Sequence, residues 1–276
     1  MSLAKIHPTA IVDPSARLAD DVEVGAYAII EADVEIGAGT VIRPHAIVRR
    51  FTAMGSGNYV DSFSCLGGEP QDYKFDASSQ TFLRIGDDNM FREGVTISRA
   101  TTPGAATMVG NKTFWMANSH AGHDCQIHDG VILANGCNIA GHSTVGAGAI
   151  LPANGNIHQF VYIGEKVMFQ GCAQVGMHVP PFVMCAQDNN VVSLNVVGLK
   201  RSPEISREDR LEIKEAFGIT YRSGLTPKVA LEKMNEHAEW SDPANKFRQF
   251  VQDALAAEKP FNRGLCPHLS RISTRR

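Results

Sequence analysis

The 276-residue chain holds six cysteines, Cys65, Cys125, Cys137, Cys172, Cys185 and Cys266, but no pair spaced Cys-x-x-Cys. Neither a zinc ribbon nor a dithiol redox motif is therefore indicated. No apolar run approaches the roughly 20 residues that span a bilayer. The start, Met1-Ser2-Leu3-Ala4-Lys5, has no apolar stretch of the kind a secretory signal carries. Six thiols without an export signal read as buried, reduced side chains of a cytoplasmic protein. Charge of one sign is also missing: 26 Lys and Arg stand against 29 Asp and Glu, a net charge of −3. The charge is unevenly placed, with net −7 over residues 1–188 and +4 over 189–276. A basic C-terminal part suits an acidic partner, but its charge is too small to argue for nucleic acid. Hydrophobic residues make up 43% of the chain, enough for a real core and too many for a disordered one.

What is present is a period of six. Ile6, Val12, Leu18, Val24, Ile30, Ile36, Ile42, Val48, Met54 and Val60 recur at that spacing. The pattern resumes at Ile85, Phe91 and Ile97, then runs from Val109 through Trp115, Ala121, Ile127 and Leu133 to Val175. Small or β-branched residues follow four places later, as at Ala10, Ala16, Val22, Ala28 and Val34. Six is neither a helical nor a simple strand period. It predicts short strands joined by tight turns, with the large aliphatic inward and the small residue beside it. Such hexapeptides mark a parallel β-helix, in which three repeats close a triangular coil of about 18 residues. Stacked coils bury one aliphatic column that no single coil could bury alone.

Two segments interrupt the period, near 67–82 and 99–107, and are expected as loops that carry binding residues. The repeat ends after Pro180-Pro181. From Ser206 the pattern turns helical, with Ser206 as N-cap and acidic residues in the first turn. Leu211, Ile213, Ala216, Phe217 and Ile219 form its apolar stripe, and Gly224 ends it. Pro227–His237 and Pro243–Ala257 are further helix candidates. The expected organisation is thus mainly β: a parallel β-helix over 1–188 and a helical domain over 189–276. Arg263, Arg271, Arg275 and Arg276 read as a frayed basic tail.

Histidines gather mid-chain at His120, His123, His128, His142, His158 and His178. In an 18-residue coil, His120 lies over Asn138 and Asn156, His123 over Gly141 and Gln159, and Asp124 over His142. No vertical ladder holds three metal ligands, so no tetrahedral zinc site is expected. A general base fits better: His123 has the Asp124 carboxylate beside it and His142 near that carboxylate. Gly141 has no side chain, so its amide is open to a developing oxyanion. A base and an exposed amide are the minimum for acyl transfer to a hydroxyl, and a mere binding module needs no base.

Asn118-Ser119-His120-Ala121-Gly122-His123-Asp124-Cys125, Gly141-His142, Ile157-His158-Gln159-Phe160 and Gly171-Cys172 resemble the UDP-N-acetylglucosamine O-acyltransferases of lipid A biosynthesis. Gln71-Asp72, Lys74, Asn195, Gly198-Leu199-Lys200-Arg201 and Tyr221-Arg222-Ser223-Gly224 match as well, so the resemblance covers nearly the whole chain. It implies a left-handed β-helix, a homotrimer with sites between subunits, and no metal or cofactor. It also implies transfer of a (R)-3-hydroxyacyl group from acyl carrier protein to the 3-hydroxyl of UDP-N-acetylglucosamine. By the same resemblance His123 is the base, Asp124 its orienting partner and Gly141 the oxyanion donor. Asp72, Lys74, His120, His142 and Gln159 line the sugar and acyl site. His158 stands near the uridine or phosphate, Asn195 and Arg201 touch the nucleotide, and Gly171 leaves a long acyl groove open.

Three departures bear on the acceptor. Ser98 and Val197 stand where the family has His and Glu, and the segment after Gln187 is about two residues shorter. An amino-sugar nucleotide, such as the 3-amino analogue, is the alternative acceptor that these departures raise.

Overall fold

The computed structural model describes residues 4–237 and 239–268. Short strands, mostly of two residues separated by four-residue turns, recur from Lys5 to Val175, apart from the two interruptions. Each coil gives one strand to each of three sheets, of eleven, nine and eight strands. Pairing is parallel and joins residues 18 apart, as Lys5 with Glu23 and Ile11 with Ile29. The six-residue period thus reads directly as three walls of a prism.

The inward residues form one continuous column. Ile30, Ile42, Val60, Leu133 and Ile139 are buried, and so are the small neighbours Ala28, Val34 and Ala46. Leu66 extends the first run by one hexapeptide beyond Val60. Among the described residues no coil covers the N-terminal end of the column, and Ile6 is 45% exposed. Many turns carry a residue in left-handed backbone geometry, including Asp124, His142 and Phe160, each with φ near +60°.

The interruptions lie where expected and lengthen the register without breaking it. Across the first, Asn58 and Asn89 stack 31 residues apart; across the second, Asn89 and Thr113 stack 24 apart. Inside the wall Asn89 donates to Asn58 Oδ1, and its own Oδ1 accepts from Thr113. A buried polar ladder is tolerated because each member has a partner.

The hexapeptide spacing stops at the two prolines, but the sheet goes on by two strands. Val183–Ala186 pairs in parallel with Met168–Phe169 and antiparallel with Asn190–Leu194. Four helices follow among the described residues: α1 Val196–Arg201, α2 Arg207–Tyr221, α3 Pro227–Asn235 and α4 Asp242–Ala256. Ser206 caps α2 through a reciprocal pair with Asp209, as its position predicts. The buried face of α2 is Ile213, Ala216, Phe217, Thr220 and Tyr221, whereas Leu211 is 58% exposed. Leu211 therefore does not belong to the stripe: the i, i+3, i+4 spacing from Ile213 defines the inner face.

Two readings need correction. Cys172 is exposed and Cys65 half-buried, so only four of the six thiols are core residues. Arg263 is not frayed. It lies in a segment from Phe261 to Cys266 that is hydrogen-bonded back onto residues 176–178. Arg271, Arg275 and Arg276 lie outside the described residues.

Candidate active site

His120, Gly122, His123, Gly141, His158 and Gln159 line one cavity of about 670 Å³ on an outer face of the prism. The face is built by stacking. His120 pairs with Asn138, Asn138 with Asn156, and Asn156 with Gln174, each 18 residues on. Their amides hand hydrogen bonds down the row, Asn138 Nδ2 to Asn156 Oδ1 and Asn156 Nδ2 to Gln174 Oε1. The stack over His120 was legible in the spacing, but Gln174, Asp188 and Asn189 join the lining only in three dimensions. Gln71 brings the first inserted loop to the same rim. A larger crevice of about 1000 Å³ lies against the helices. It is lined by carboxylates and lysines, some already paired, as Lys166 with Glu204 and Lys246 with Glu165, and holds no imidazole. The smaller cavity is the one lined by imidazoles.

His123 and Asp124 form a tight pair, with Nδ1 and Oδ2 2.8 Å apart. Both side chains are largely buried. The second insertion supports the carboxylate from behind. Thr101 donates its amide and its hydroxyl to Asp124, the hydroxyl at 2.7 Å, and Thr107 Oγ1 accepts the Asp124 amide at 2.8 Å. Burial pushes the Asp124 carboxyl up, but the bonds from His123 and Thr101 outweigh it and hold it below its ordinary value. The ionised oxygen therefore accepts Nδ1–H, which leaves the lone pair of His123 on Nε2. Thr101 was missed in the sequence because a threonine in a loop carries no signal of its own.

Gly141 explains the fit of the ring. A Cβ there would stand 2.6 Å from His123 Cε1 and 2.8 Å from Nε2. Only a residue without a side chain lets the imidazole lie over this turn. Gly141 is buried, and among the described residues its amide N–H has no acceptor.

His142 stands edge-on to His123 with centroids 5.0 Å apart, and its Nε2 is 3.7 Å from Asp124 Oδ2. Burial pushes the His142 imidazole below its ordinary value, against the pull of Asp124. Burial also lowers His120, whose Nδ1 lies 2.8 Å from Thr96 Oγ1. Ligand atoms of His123, Asp124 and His142 lie within 4.8 Å of one another, a set that could hold a metal ion. Counting vertical ladders overlooked this set, because Asp124 is a sequence neighbour of His123 and stacks on His142.

Other expected residues sit outside the cavity of this single chain. Asp72 and Lys74 are exposed on the first loop, where the Lys74 amide bonds Asp72 Oδ1 at 2.9 Å. Gly171 is exposed, and nothing lies within 4 Å of where a Cβ would be. Asn195 is nearly buried: it caps α1 by accepting from the Gly198 amide and donates to the Lys166 carbonyl. Arg201 is exposed in the last turn of α1. Ser98 is buried opposite Gly68, and Val197 is 58% exposed.

Known proteins share this architecture and sequence. Residues 15–50 and 106–141 match the bacterial transferase hexapeptide family. Residues 178–266 match the second domain of UDP-N-acetylglucosamine O-acyltransferase. The acyl-[acyl-carrier-protein]–UDP-N-acetylglucosamine O-acyltransferase of Stenotrophomonas maltophilia R551-3 is 40% identical, covering 94% of this chain and 98% of the relative. The enzyme of the same name from Herminiimonas arsenicoxydans is 41% identical, with 91% and 97% coverage. The solved UDP-N-acetylglucosamine O-acyltransferase of Moraxella catarrhalis superposes with a TM-score of 0.87 at 34% identity, over 95% of this chain and 99% of that one. The Arabidopsis UDP-N-acetylglucosamine acyltransferase gives 0.84 at 26% identity, with 95% and 99% coverage. The coil is the left-handed parallel β-helix, and the chain belongs to the acyl-[acyl-carrier-protein]–UDP-N-acetylglucosamine O-acyltransferase family.

Proposed function

We propose that this protein transfers a (R)-3-hydroxyacyl group from acyl carrier protein to the 3-hydroxyl of UDP-N-acetylglucosamine, the first step of lipid A biosynthesis. The observation that carries the reading is the His123–Asp124 pair laid over Gly141, whose amide has no acceptor among the described residues. His123 Nε2 takes the proton of the sugar hydroxyl. The hydroxyl oxygen attacks the thioester carbonyl, and the Gly141 amide receives the resulting oxyanion. The intermediate then collapses, the C–S bond breaks, and His123 returns its proton to the leaving thiolate. Asp124 keeps the ring in one tautomer throughout and stabilises the imidazolium. His120, His142 and Gln159, with Asp72 and Lys74 from the loop, complete the sugar and acyl site. His158, Asn195 and Arg201 serve the nucleotide, and the open space at Gly171 accommodates the far end of a long chain. Metal and cofactor have no part in these steps.

The outer faces support a homotrimer. The nine-stranded sheet presents the polar row His120, Asn138, Asn156, Gln174. The eleven-stranded sheet presents Phe114, Ile132, Ile150 and Met168 outward, an apolar row beside it. Set face to face by a three-fold axis, a polar wall and an apolar wall enclose both the sugar and the acyl chain. Asn195 and Arg201, apart from the cavity in one chain, would then belong to a site completed by a neighbour. We divide the chain at residue 188 into the β-helix and a C-terminal domain whose positive charge docks the acidic carrier protein. No described helix is long and apolar enough to cross a membrane, and a carrier-protein donor would be met in the cytoplasm.

The test is turnover of purified protein with 3-hydroxyacyl carrier protein and either UDP-N-acetylglucosamine or its 3-amino analogue, with product read by mass. Acylation of the hydroxyl acceptor, lost by about 10²–10⁴ in His123→Ala, is the expected outcome. Acylation of the amine alone would overturn the acceptor, and full activity in His123→Ala would overturn the base.

A further inference from the structure

We infer that Arg263, from the far C-terminal segment, is a positioning residue of the sugar-nucleotide site that acts through His158. Arg263 Nη2 lies 2.9 Å from His158 Nδ1, although 105 residues separate them in sequence. Its Nε donates to the Gly176 carbonyl at 3.1 Å. Gly176 is fixed from the other side as well, because its amide donates to Asn189 Oδ1 at 2.7 Å. His158, Gly176 and Asn189 all line the cavity, whereas Arg263 stands behind them.

A guanidinium has donors only, so the contact requires a lone pair on His158 Nδ1. A competing partner is the Gln159 carbonyl, 3.1 Å from the same nitrogen, which would require Nδ1–H. With Arg263 present, that tautomer would set an N–H against a cation. The ring proton is thereby placed on Nε2. An exposed histidine that would otherwise sample rotamers and both tautomers is held as a donor for an anionic or carbonyl oxygen.

The segment that carries Arg263 is itself firmly tied down. His178 donates from Nε2 to the Phe261 carbonyl at 2.7 Å, and its Nδ1 accepts the Tyr162 amide. The His178 amide donates to the Gly264 carbonyl, and the Cys266 amide donates to the His178 carbonyl. Phe261 also packs edge-on against Phe160, which stacks on His142, which meets His123 edge-on. The chain end thus reaches the site on two sides, through a polar contact at His158 and an aromatic row at His142.

The inference rests on the sugar-nucleotide assignment of the cavity, so the experiment separates the two. Parent, Arg263→Gln, Arg263→Lys, His158→Asn and the Arg263→Gln/His158→Asn double variant are assayed with both substrates varied. Arg263→Gln is expected to raise KM for UDP-N-acetylglucosamine about ten-fold, the worth of one charge-assisted hydrogen bond. The KM for acyl carrier protein should stay within about two-fold, since that substrate does not depend on His158. Arg263→Lys keeps the charge without the planar fork and should recover part of the loss. Once His158 is gone, removing Arg263 should add nothing. Nitrogen-15 spectra of histidine-labelled protein should show His158 with its proton on Nε2 in the parent and a mixture in Arg263→Gln. Unchanged KM in a folded Arg263→Gln, additive losses in the double variant, or Nδ1–H in the parent would each overturn the inference. If Arg263→Gln fails to fold, Arg263→Lys supplies the kinetic test. A parent inactive on UDP-N-acetylglucosamine would refute the functional reading instead, and the spectra would still decide the Arg263–His158 contact.

Discussion

Gly141→Ala isolates the placement of the base from every other part of the mechanism. The added Cβ would stand 2.6 Å from His123 Cε1, 2.8 Å from Nε2 and 3.0 Å from Nδ1. Carbon atoms rest at about 3.5–4.0 Å, so the ring must retreat by about 1 Å or tilt. It cannot do so freely, because Nδ1 is held at 2.8 Å by Asp124 and the ring also meets His142 edge-on. Alanine retains the backbone N–H, so the oxyanion donor is still present. Gly141 is absent from the residues with positive φ, so alanine adopts its backbone without strain. A misplacement of about 1 Å at a reacting group costs on the order of 10²-fold. The expected result is kcat lowered about 100-fold at saturating acyl carrier protein and UDP-N-acetylglucosamine, with stability reduced by only about 1–3 kcal/mol, the usual cost of overpacking. Product formation followed by mass, beside a thermal melt, separates the two effects. Turnover within about three-fold of the parent would show that the ring is not locked over this turn and that its position is not rate-determining.

Three further outcomes follow from the same geometry. Gly171→Met fills space that is open for at least 4 Å around the Cβ position, so long-chain donors should lose turnover while short-chain donors keep it; equal losses for both would disconnect Gly171 from the acyl chain. His178 is fully buried with both ring nitrogens bonded, and burial pushes it below its ordinary 6.5. The unfolded chain takes up that proton first as pH falls, so stability should drop as pH is lowered from about 6.5 through the depressed folded value, and His178→Gln should flatten the curve of Tm against pH. Treatment with EDTA should leave turnover unchanged, because base, orienting carboxylate and oxyanion donor are all supplied by the chain; a loss reversed by one defined metal would assign the His123, Asp124, His142 set to that ion instead.

The coil is written into the chain locally. A period of six admits one regular solution in which every large aliphatic faces inward, and the buried residues Val24, Ile30, Ile36 and Ile42 occupy it. Stacking of His120 on Asn138 and of Asp124 on His142 follows from the same arithmetic, and so does the pairing of His123 with its sequence neighbour. Ser206 capping α2 was equally legible, since a cap is written within four residues.

Contacts that run across the chain rather than along it emerge only on folding. Thr101 reaches Asp124 from a loop whose course no period fixes. The Val183–Leu194 hairpin prolongs a wall after its repeat has ended, because sheet hydrogen bonds ask for an edge rather than for hexapeptides. Arg263 looked like part of a solvated tail because local composition cannot register a partner 105 residues away. Periodic order is encoded locally, whereas an active site is assembled from contacts whose sequence separation is arbitrary. The coil could therefore be counted from the sequence, but the second layer around His123 and His158 had to be folded to be seen.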